Sequence, residues 1–537
     1  VKTYNGLNIL AMDGQKLIGR ALTETGGMDM KNLLSRIVLL ISLMVLSSYG
    51  TTYYVSVSGN DTWSGTRPDS AWRHIAHACS TVVAGDSVLV LPGTYPERVV
   101  FRHSGSANNK IVFKSNPRRT ATTWGFDTNS PTAGSYTRIE GFNVIWDTTL
   151  TGWRDYGIFI SSNNVEVVDN YLSDLRRTSI QGNWSQPWTR DNYIADNRIF
   201  HCQAGLGVEG TNWLIENNEV ERLFYYRSGD CDYSRFFGDS IVFRRNYFHG
   251  TDPDSIGTAH VDCFQTFDDN GEHAAYVTME ANRGSDFAQA FMGESHYYHN
   301  SHDILFKNNV FCRGWAWGLC VQDIANVRAL NNTFAYIQWH GIGFSGPYAQ
   351  GGVVRNNIFF NTNTSYWWAD TAQASGDYNL IFGADDPTVI GPHDILDQDP
   401  LFVDSISNDF RLQATSPAVE HGDSLLEVLD DIIGTSRPQG PRWDIGAYEY
   451  VYNGIKSDVT LGGTPMKRIH VYPNPFANYA RVIGRENDRF VVYDVSGRKA
   501  GIYNGGCIGR DLEAGIYFVG YYGRPLSASW DIIIKVK

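Results

Sequence analysis

Cysteine is scarce in this sequence: 7 residues in 537, with no CxxC pair. That excludes a disulfide-stapled scaffold and a cysteine-ligated structural zinc site. Positive charge is short too. Lys and Arg total 44 against 57 Asp and Glu, a net charge of −13, which argues against nucleic acid as the main partner. No apolar run reaches the ~20 residues of a membrane-spanning helix. The run after Met30, in MKNLLSRIVLLISLMVLSSYG, has the shorter form of a secretory signal peptide. Lys31 and Arg36 supply the basic region, Ile37 to Leu46 the apolar centre, and Ser48-Tyr49-Gly50 the small-x-small cleavage site. Residues 1–29 are expected to be an extension upstream of the true start, at Met28 or Met30. Residues 30–50 are then the signal, and the mature chain begins near Thr51 outside the cytoplasm.

What the chain does have is length, aromatic residues and a repeat. At 537 residues it exceeds one ordinary core, so several domains or an elongated architecture are expected. The middle repeats a short unit: VEVVDNYL, YIADNRIF, WLIENNEV, IVFRRNYF, YVTMEANR, ILFKNNVF, VRALNNTF and GVVRNNIF. The reference asparagines are Asn170, Asn197, Asn218, Asn246, Asn282, Asn309, Asn332 and Asn357. They recur at intervals of roughly two to three dozen positions, the range of a solenoid repeat. Such a period, with two-residue alternation inside each run, predicts a β-solenoid of about three short strands per coil. The helix of a leucine-rich repeat and the longer period of a propeller blade are both missing. Asn at one fixed turn suits a parallel β-helix, because it tolerates the left-handed backbone region and its amide can stack on the neighbouring coil.

Between the asparagine turns runs a second line of strands: YGIFIS, RTSIQG, LGVEG, YSRFFG, DCFQTF, FAQAFMG, GLCVQD and GIGFSG. It predicts a stacked polar row through Ser161, Gln181, Glu209, Arg235, Gln265, Gln289, Gln322 and Ser345.

The ends carry a resemblance. Tyr54, Ser56, Gly59, Asp61, Gly65, Trp72, Ile75, Gly93, Thr94 and Tyr95, in YYVSVSGNDTWSG, AWRHI and GDSVLVLPGTYPE, resemble the N-terminal cap and first coil of secreted right-handed parallel β-helix proteins of the pectate-lyase-like superfamily. DPLFVD, NDFRLQ, SPAVEHG and DIGAYEY resemble that superfamily's last coil and cap. The resemblance covers roughly residues 51–450 and implies an all-β, right-handed parallel β-helix and carbohydrate-active chemistry without specifying the reaction. After a Gly- and Ser-containing linker over 451–467, residues 468–537 alternate like a small β-sandwich. Pro473-Asn474-Pro475, Asp494, Gly497-Arg498 and Gly515-Ile516-Tyr517 resemble the C-terminal sorting domain of the type IX secretion system. That resemblance implies bacterial secretion machinery as a partner and export across the outer membrane, with release or surface anchoring; a monomer is expected. An accessory sandwich with no sorting role is the alternative.

Chemistry is expected where acids recur in one pattern. Asp232, Asp262 and Asp286 are each followed three residues on by Arg235, Gln265 or Gln289, and two later by Phe. If the three segments are equivalent, the acids stack and raise one another's pKa. Such a cluster suits glycoside hydrolysis, in which one carboxyl protonates the leaving oxygen and another activates water or attacks the sugar. It also suits β-elimination on a uronate, or calcium binding through Asp230 and Asp232. No cofactor is needed for hydrolysis. His260 alternates with Asp262 and would share its face as a partner in acid–base work. Glu209, Arg235, Gln265, Gln289, Trp315 and Trp317 are candidates for substrate binding. Glu280, Glu294, His296, His299 and His302 are further candidates for an acid or metal site. The bland reading is that each Asp caps its own bend, and a noncatalytic adhesin would use the same scaffold. Hydrolysis is the leading expectation, with elimination and adhesion as alternatives.

Overall fold

The computed structural model describes residues 50–451 apart from 129–132, 147–155, 185–187, 227–228, 269–270 and 385–388. In the C-terminal part it describes 471–535 apart from 473–475, 477, 483–484, 486, 495–497 and 522–529. The signal peptide, the upstream extension, nearly all of the linker, Pro473-Asn474-Pro475 and Gly497 lie outside the described residues.

Short runs of β-branched and aromatic residues ended by turn residues form short strands, and among the described residues 34 of them join in one parallel system. The chain is a parallel β-helix with three strand lines. The first includes Tyr193–Ala195, Leu214–Glu216, Val242–Arg244 and Ala274–Glu280, each paired in parallel with the next. The second includes Arg198–Phe200, Glu219–Glu221 and Tyr247–His249. The third includes Thr178–Gly182, Ala204–Thr211, Ser234–Asp239, Asp262–Thr266, Arg283–Glu294, Val310–Gln322, His340–Ser345 and Thr364–Trp368. Phe236, Phe243, Phe248, Phe264, Phe291 and Phe306 fill the interior with ring contacts that continue from coil to coil.

Between the first and second lines stand the predicted asparagines. Each donates its side-chain amide to the side-chain oxygen of the next, from Asn170 through Asn357 to Asn379, whose partner is Asp394. Each oxygen also accepts the main-chain N–H of the Asn one coil before. The buried turns therefore leave no amide unpaired along the ladder. The left-handed residue is not the ladder Asn itself but its predecessor: Asp169, Asp196, Asn217, Arg245, Ala281, Asn308, Asn331, Asn356 and Tyr378 all have φ between 52° and 61°. The stacking amide is set by the ladder position, and the bend is made one residue earlier.

At the N-terminal end the helix Ile75–Thr81 buries Ile75, Ala78 and Cys79 against the first coil. The C-terminal segment departs from the expected cap. Residues 402–450 run back along the outer face of the second line, where Phe410, Ile445 and Tyr448 cover Val310, Ala335 and Ile358. Main-chain carbonyls of Asp423, Asp430 and Asp444 accept from Asn356, Asn308 and Asn331 in turn. The segment straps the flank, because that face carries apolar residues which must be covered. The C-terminal part forms an antiparallel four-stranded sheet of Lys499–Asn504, Arg489–Asp494, Gly515–Tyr521 and Trp530–Lys535, with its own core of Val471, Phe476, Val492, Val519 and Ile533.

Candidate active site

The third strand line carries the acids, and its register decides which of them meet. One outward column runs Gln181, Gly207, Arg235, Gln265, Met292, Cys320, Gly343 and Trp367. A second runs Asp262, Gln289, Trp317 and His340. Asp232 precedes Asp262 in that column: its Oδ1 accepts the Asp262 main-chain N–H at 3.2 Å, and Tyr233 N donates to Asp262 O. Asp262 Oδ1 then accepts the Gln289 N–H at 3.2 Å. The proposed polar row is thus partly right. Gln181, Arg235 and Gln265 share one column, whereas Gln289 falls in the aspartate column and Glu209 pairs with Phe237 two positions along.

Asp286 does not join the stack. Asp262 is opposed by Gln289, so the third motif is slipped by three residues relative to the first two. Asp286 sits instead at the bend between the second and third lines, with φ 60°. There it accepts from Gly250 N at 3.0 Å and grips Arg313 Nε at 2.8 Å. Burial alone would raise its pKa, but the bonds from Arg313 and Gly250 outweigh this and hold it low. It is a bend-capping ion pair. His260 is also displaced: its ring is exposed, and its main-chain N–H is what approaches Asp230, at 3.4 Å. Trp315 packs on the core, while Trp317 stays on the outer face. Glu280 is held by Arg244 and Lys307 on the first line. His296 bridges Asp323 and Glu294, and His299 stacks on Tyr348.

What the fold assembles is a cavity of about 270 Å³ bordered by Gln181, Trp184, Glu209, Asp230, Asp232 and Arg235. Arg235 Nη2 spans Asp232 Oδ2 at 2.6 Å and Asp230 Oδ2 at 3.1 Å. Gln265 Nε2 reaches Asp262 Oδ2 at 3.4 Å. Gln181 leans over Gly207 to donate to Glu209 Oε1 at 3.0 Å. A Cβ on Gly207 would come within 2.3–2.6 Å of the Gln181 amide, so only glycine leaves that path open.

The carboxyls differ in charge. Glu209 is 1% exposed, and burial, with the negative Glu272 nearby, pushes its pKa to about 9 despite the Gln181 bond and Arg235. It is a neutral acid at neutral pH. Burial also raises Asp232, with Arg235 pulling the other way. Asp262 is raised well above the carboxylate range by burial and then by the charge of Asp232. Two carboxyls this close do not ionise together easily. Several buried polar atoms along this strand line have no hydrogen-bond partner among the described residues: Glu209 Oε2 and Arg235 Nε at the cavity, and Gln265 Oε1 on the next coil. Buried polar groups ordinarily find partners, so these are suited to a bound molecule.

From the sequence Glu209 is a binding residue and a competing acid on the preceding coil; its raised pKa is not legible there, because it depends on burial and on the nearby charges.

Among the described residues two acidic groups bear on a divalent cation. Asp230 and Asp232 are already bridged by the Arg235 guanidinium. On the second line, Glu219, Glu221 and His249 bring ligand atoms within 4.8 Å of one another and could hold such a cation. Arg198 lies against the same carboxylates, 2.5 Å from Glu221 and 3.5 Å from Glu219. An imidazole in the set suits a transition metal better than calcium, which prefers oxygen.

Comparison with known proteins places the fold. No protein-family profile matches the chain. The structure is similar to XylC solved in complex with xylose, at 12% identity and a TM-score of 0.52, covering 75% of this chain and 98% of that one. It also matches the pectate lyase Pel9A, at 18% identity and a TM-score of 0.45, over 75% and 98% of the two chains. A curated relative, the uncharacterized protein YwoF of Bacillus subtilis (strain 168), is 27% identical over 146 residues, 25% of this chain. The matched region spans about a third of that relative's length, 31%. The likeness to XylC is one of fold. Fold and site together define a parallel β-helix protein with a carboxyl-lined cavity on its third strand line.

Proposed function

We propose that this chain is an exported enzyme that cleaves a polysaccharide, with Glu209 as proton donor to the glycosidic oxygen and Asp232 as base. The observation that carries this is the difference between the carboxyls of one cavity: Glu209 is held neutral, while Asp232 is kept available to charge by Arg235. Pairs of titratable groups set apart in this way divide into acid and base. In the hydrolytic reading Asp232 takes a proton from water, the water oxygen attacks the anomeric carbon, and Glu209 gives its proton to the departing sugar oxygen. Asp262, also raised, supports Asp232 from the next coil.

A second reading is elimination on a uronate-containing glycan. Arg177 and Arg235 at the same cavity favour it, because guanidinium groups would pair with the uronate carboxylate while Asp232 removes the proton beside it, the C–O bond to the leaving sugar breaks as the C=C bond forms, and Glu209 protonates the departing oxygen. Export follows from the signal-like segment at 30–50, and the domain at 468–537 is proposed to engage the bacterial secretion machinery. Catalysis is assigned to residues 51–450, acting as a monomer and needing no metal.

Xylan, polygalacturonate and alginate, each incubated with the full mature chain with and without chelator, test the reading. Hydrolysis yields reducing ends alone, and elimination adds the ultraviolet absorbance of an unsaturated uronide. Binding without either product would favour a noncatalytic surface protein. Loss of residues 451–537 should leave cleavage intact but stop export from the bacterial cell.

A further inference from the structure

The two columns that hold the carboxyls do not end with them. The aspartate column continues through Gln289 to Trp317 and His340, and the arginine column continues through Met292, Cys320 and Gly343 to Trp367. Strand stacking sets neighbouring coils about 4.8 Å apart. Trp317 therefore stands two coils, about 10 Å, beyond Asp262 on the same face.

There the side chains change from acids to rings. Trp317 and Trp367 lie 5.9 Å apart between centroids, and His340 is 4.3 Å from Trp317. All three are half-buried. The two indoles converge over Gly343: a Cβ there would come within 2.5 Å of the Trp317 ring and 2.9 Å of Trp367, so glycine forms the floor on which they meet. Two polar atoms of the cluster, His340 Nδ1 and Trp367 Nε1, are buried without a partner among the described residues, and so is Gln289 Oε1, one coil before Trp317 in the same column. A purely packing cluster would not gather an imidazole nitrogen and an indole donor, with an acceptor one coil before, and leave all three unsatisfied. Flat apolar faces edged by unused hydrogen-bonding atoms match a sugar ring, whose C–H faces are apolar and whose rim carries hydroxyls.

We infer that Trp317, His340 and Trp367 form a sugar-binding subsite two, three and four coils C-terminal to Asp262, which holds the polysaccharide along the solenoid axis. The inference rests on the proposed polysaccharide substrate and adds its direction and a second anchoring point. Trp184, 42% exposed at the cavity, follows the strand Thr178–Gly182, one coil before Glu209. The glycan is thus gripped on both sides of the bond to be broken.

The test separates binding from cleavage. The E209Q chain is run in native gels cast with xylan, polygalacturonate or alginate, alongside the same chain carrying W317A, W367A or W317F. The expected result is retardation of E209Q in at least one gel, about tenfold weaker binding for W317A and W367A, and partial recovery in W317F, since one stacked ring is worth on the order of a factor of ten. Matching thermal midpoints establish that the variants fold. Folded W317A and W367A retarded as strongly as E209Q would overturn the subsite, and so would the absence of retardation in every gel. Retardation that depends on Trp317, in a wild-type chain that cleaves nothing, would sink the catalytic reading and leave the subsite standing.

Discussion

Asp232 Oδ1 accepts the main-chain N–H of Asp262 at 3.2 Å across adjacent coils, while its other oxygen takes the Arg235 guanidinium at 2.6 Å. One carboxylate is thus both a rung of the solenoid and the partner of a cation. Asp262 repeats the rung by accepting from Gln289 N, but it has Gln265 rather than an arginine beside it. The two acids are stacked and chemically unequal.

That inequality separates D232N from D262N. Burial and the charge of Asp232 raise the Asp262 pKa well above the carboxylate range, which favours the protonated form that an amide mimics. D262N should keep most of its activity, within about tenfold, while loss of the base in D232N should cost on the order of a hundredfold or more in kcat. Cleavage kinetics on the responsive polysaccharide check this. The reverse order would move the base to Asp262.

Glu209 links activity and stability to pH. Its folded pKa of about 9 lies above the ordinary 4.5. A carboxyl raised in this way contributes its full stability below the ordinary value and loses it as pH rises through the folded value. Calorimetry from pH 4 to 10 should therefore find the thermal midpoint of E209Q rising relative to the wild type between about 4.5 and 9. Cleavage should fall along the same alkaline limb, as the proton donor ionises.

Gly207 provides a test with little charge change. A methyl group there collides with the Gln181 amide, which must swing away from Glu209. G207A should lower kcat by about tenfold while leaving the thermal midpoint within a few degrees, because the strand itself is retained. Wild-type kinetics in G207A would mean that Gln181 is not needed to orient Glu209.

The ladder is where stability should be most sensitive. Asn309 accepts from the Asn282 main chain and amide and donates to Met279 O and Asn332 Oδ1, all buried. N309A strands those partners and should cost about 3 kcal/mol in urea unfolding, since each unsatisfied buried group costs roughly 1–3 kcal/mol. A loss below about 1 kcal/mol would mean that water enters the gap.

Chelation addresses the cation question. The Arg235 guanidinium already occupies the place between Asp230 and Asp232 that a cation would take, so treatment with EDTA should leave the cleavage rate unchanged. A rate that collapses with EDTA and returns with calcium would put an ion in the cavity, and one that returns only with zinc would direct attention to Glu219, Glu221 and His249.

The fold was largely legible because the solenoid writes its period into the chain. Every reference asparagine from Asn170 to Asn357 stands on the ladder, since the same buried turn recurs and needs the same amide. Asp232 and Asp262 were also legible as neighbours, because the offset between them equals that of the paired Arg235 and Gln265. Asp286 misled because it follows Asp262 too closely: the next coil brings Gln289, not Asp286, opposite Asp262. A motif repeated in sequence is not repeated in space when the intervening loops differ in length.

By itself, then, the sequence determined the coil, the ladder and the strand line on which the acids lie, because periodicity and residue type act locally and repeat. Tertiary structure alone decided which acids meet, that Glu209 is neutral, and that Trp317 and Trp367 meet over Gly343. Those outcomes depend on inter-coil register and on burial, which are sums over residues far apart in the chain.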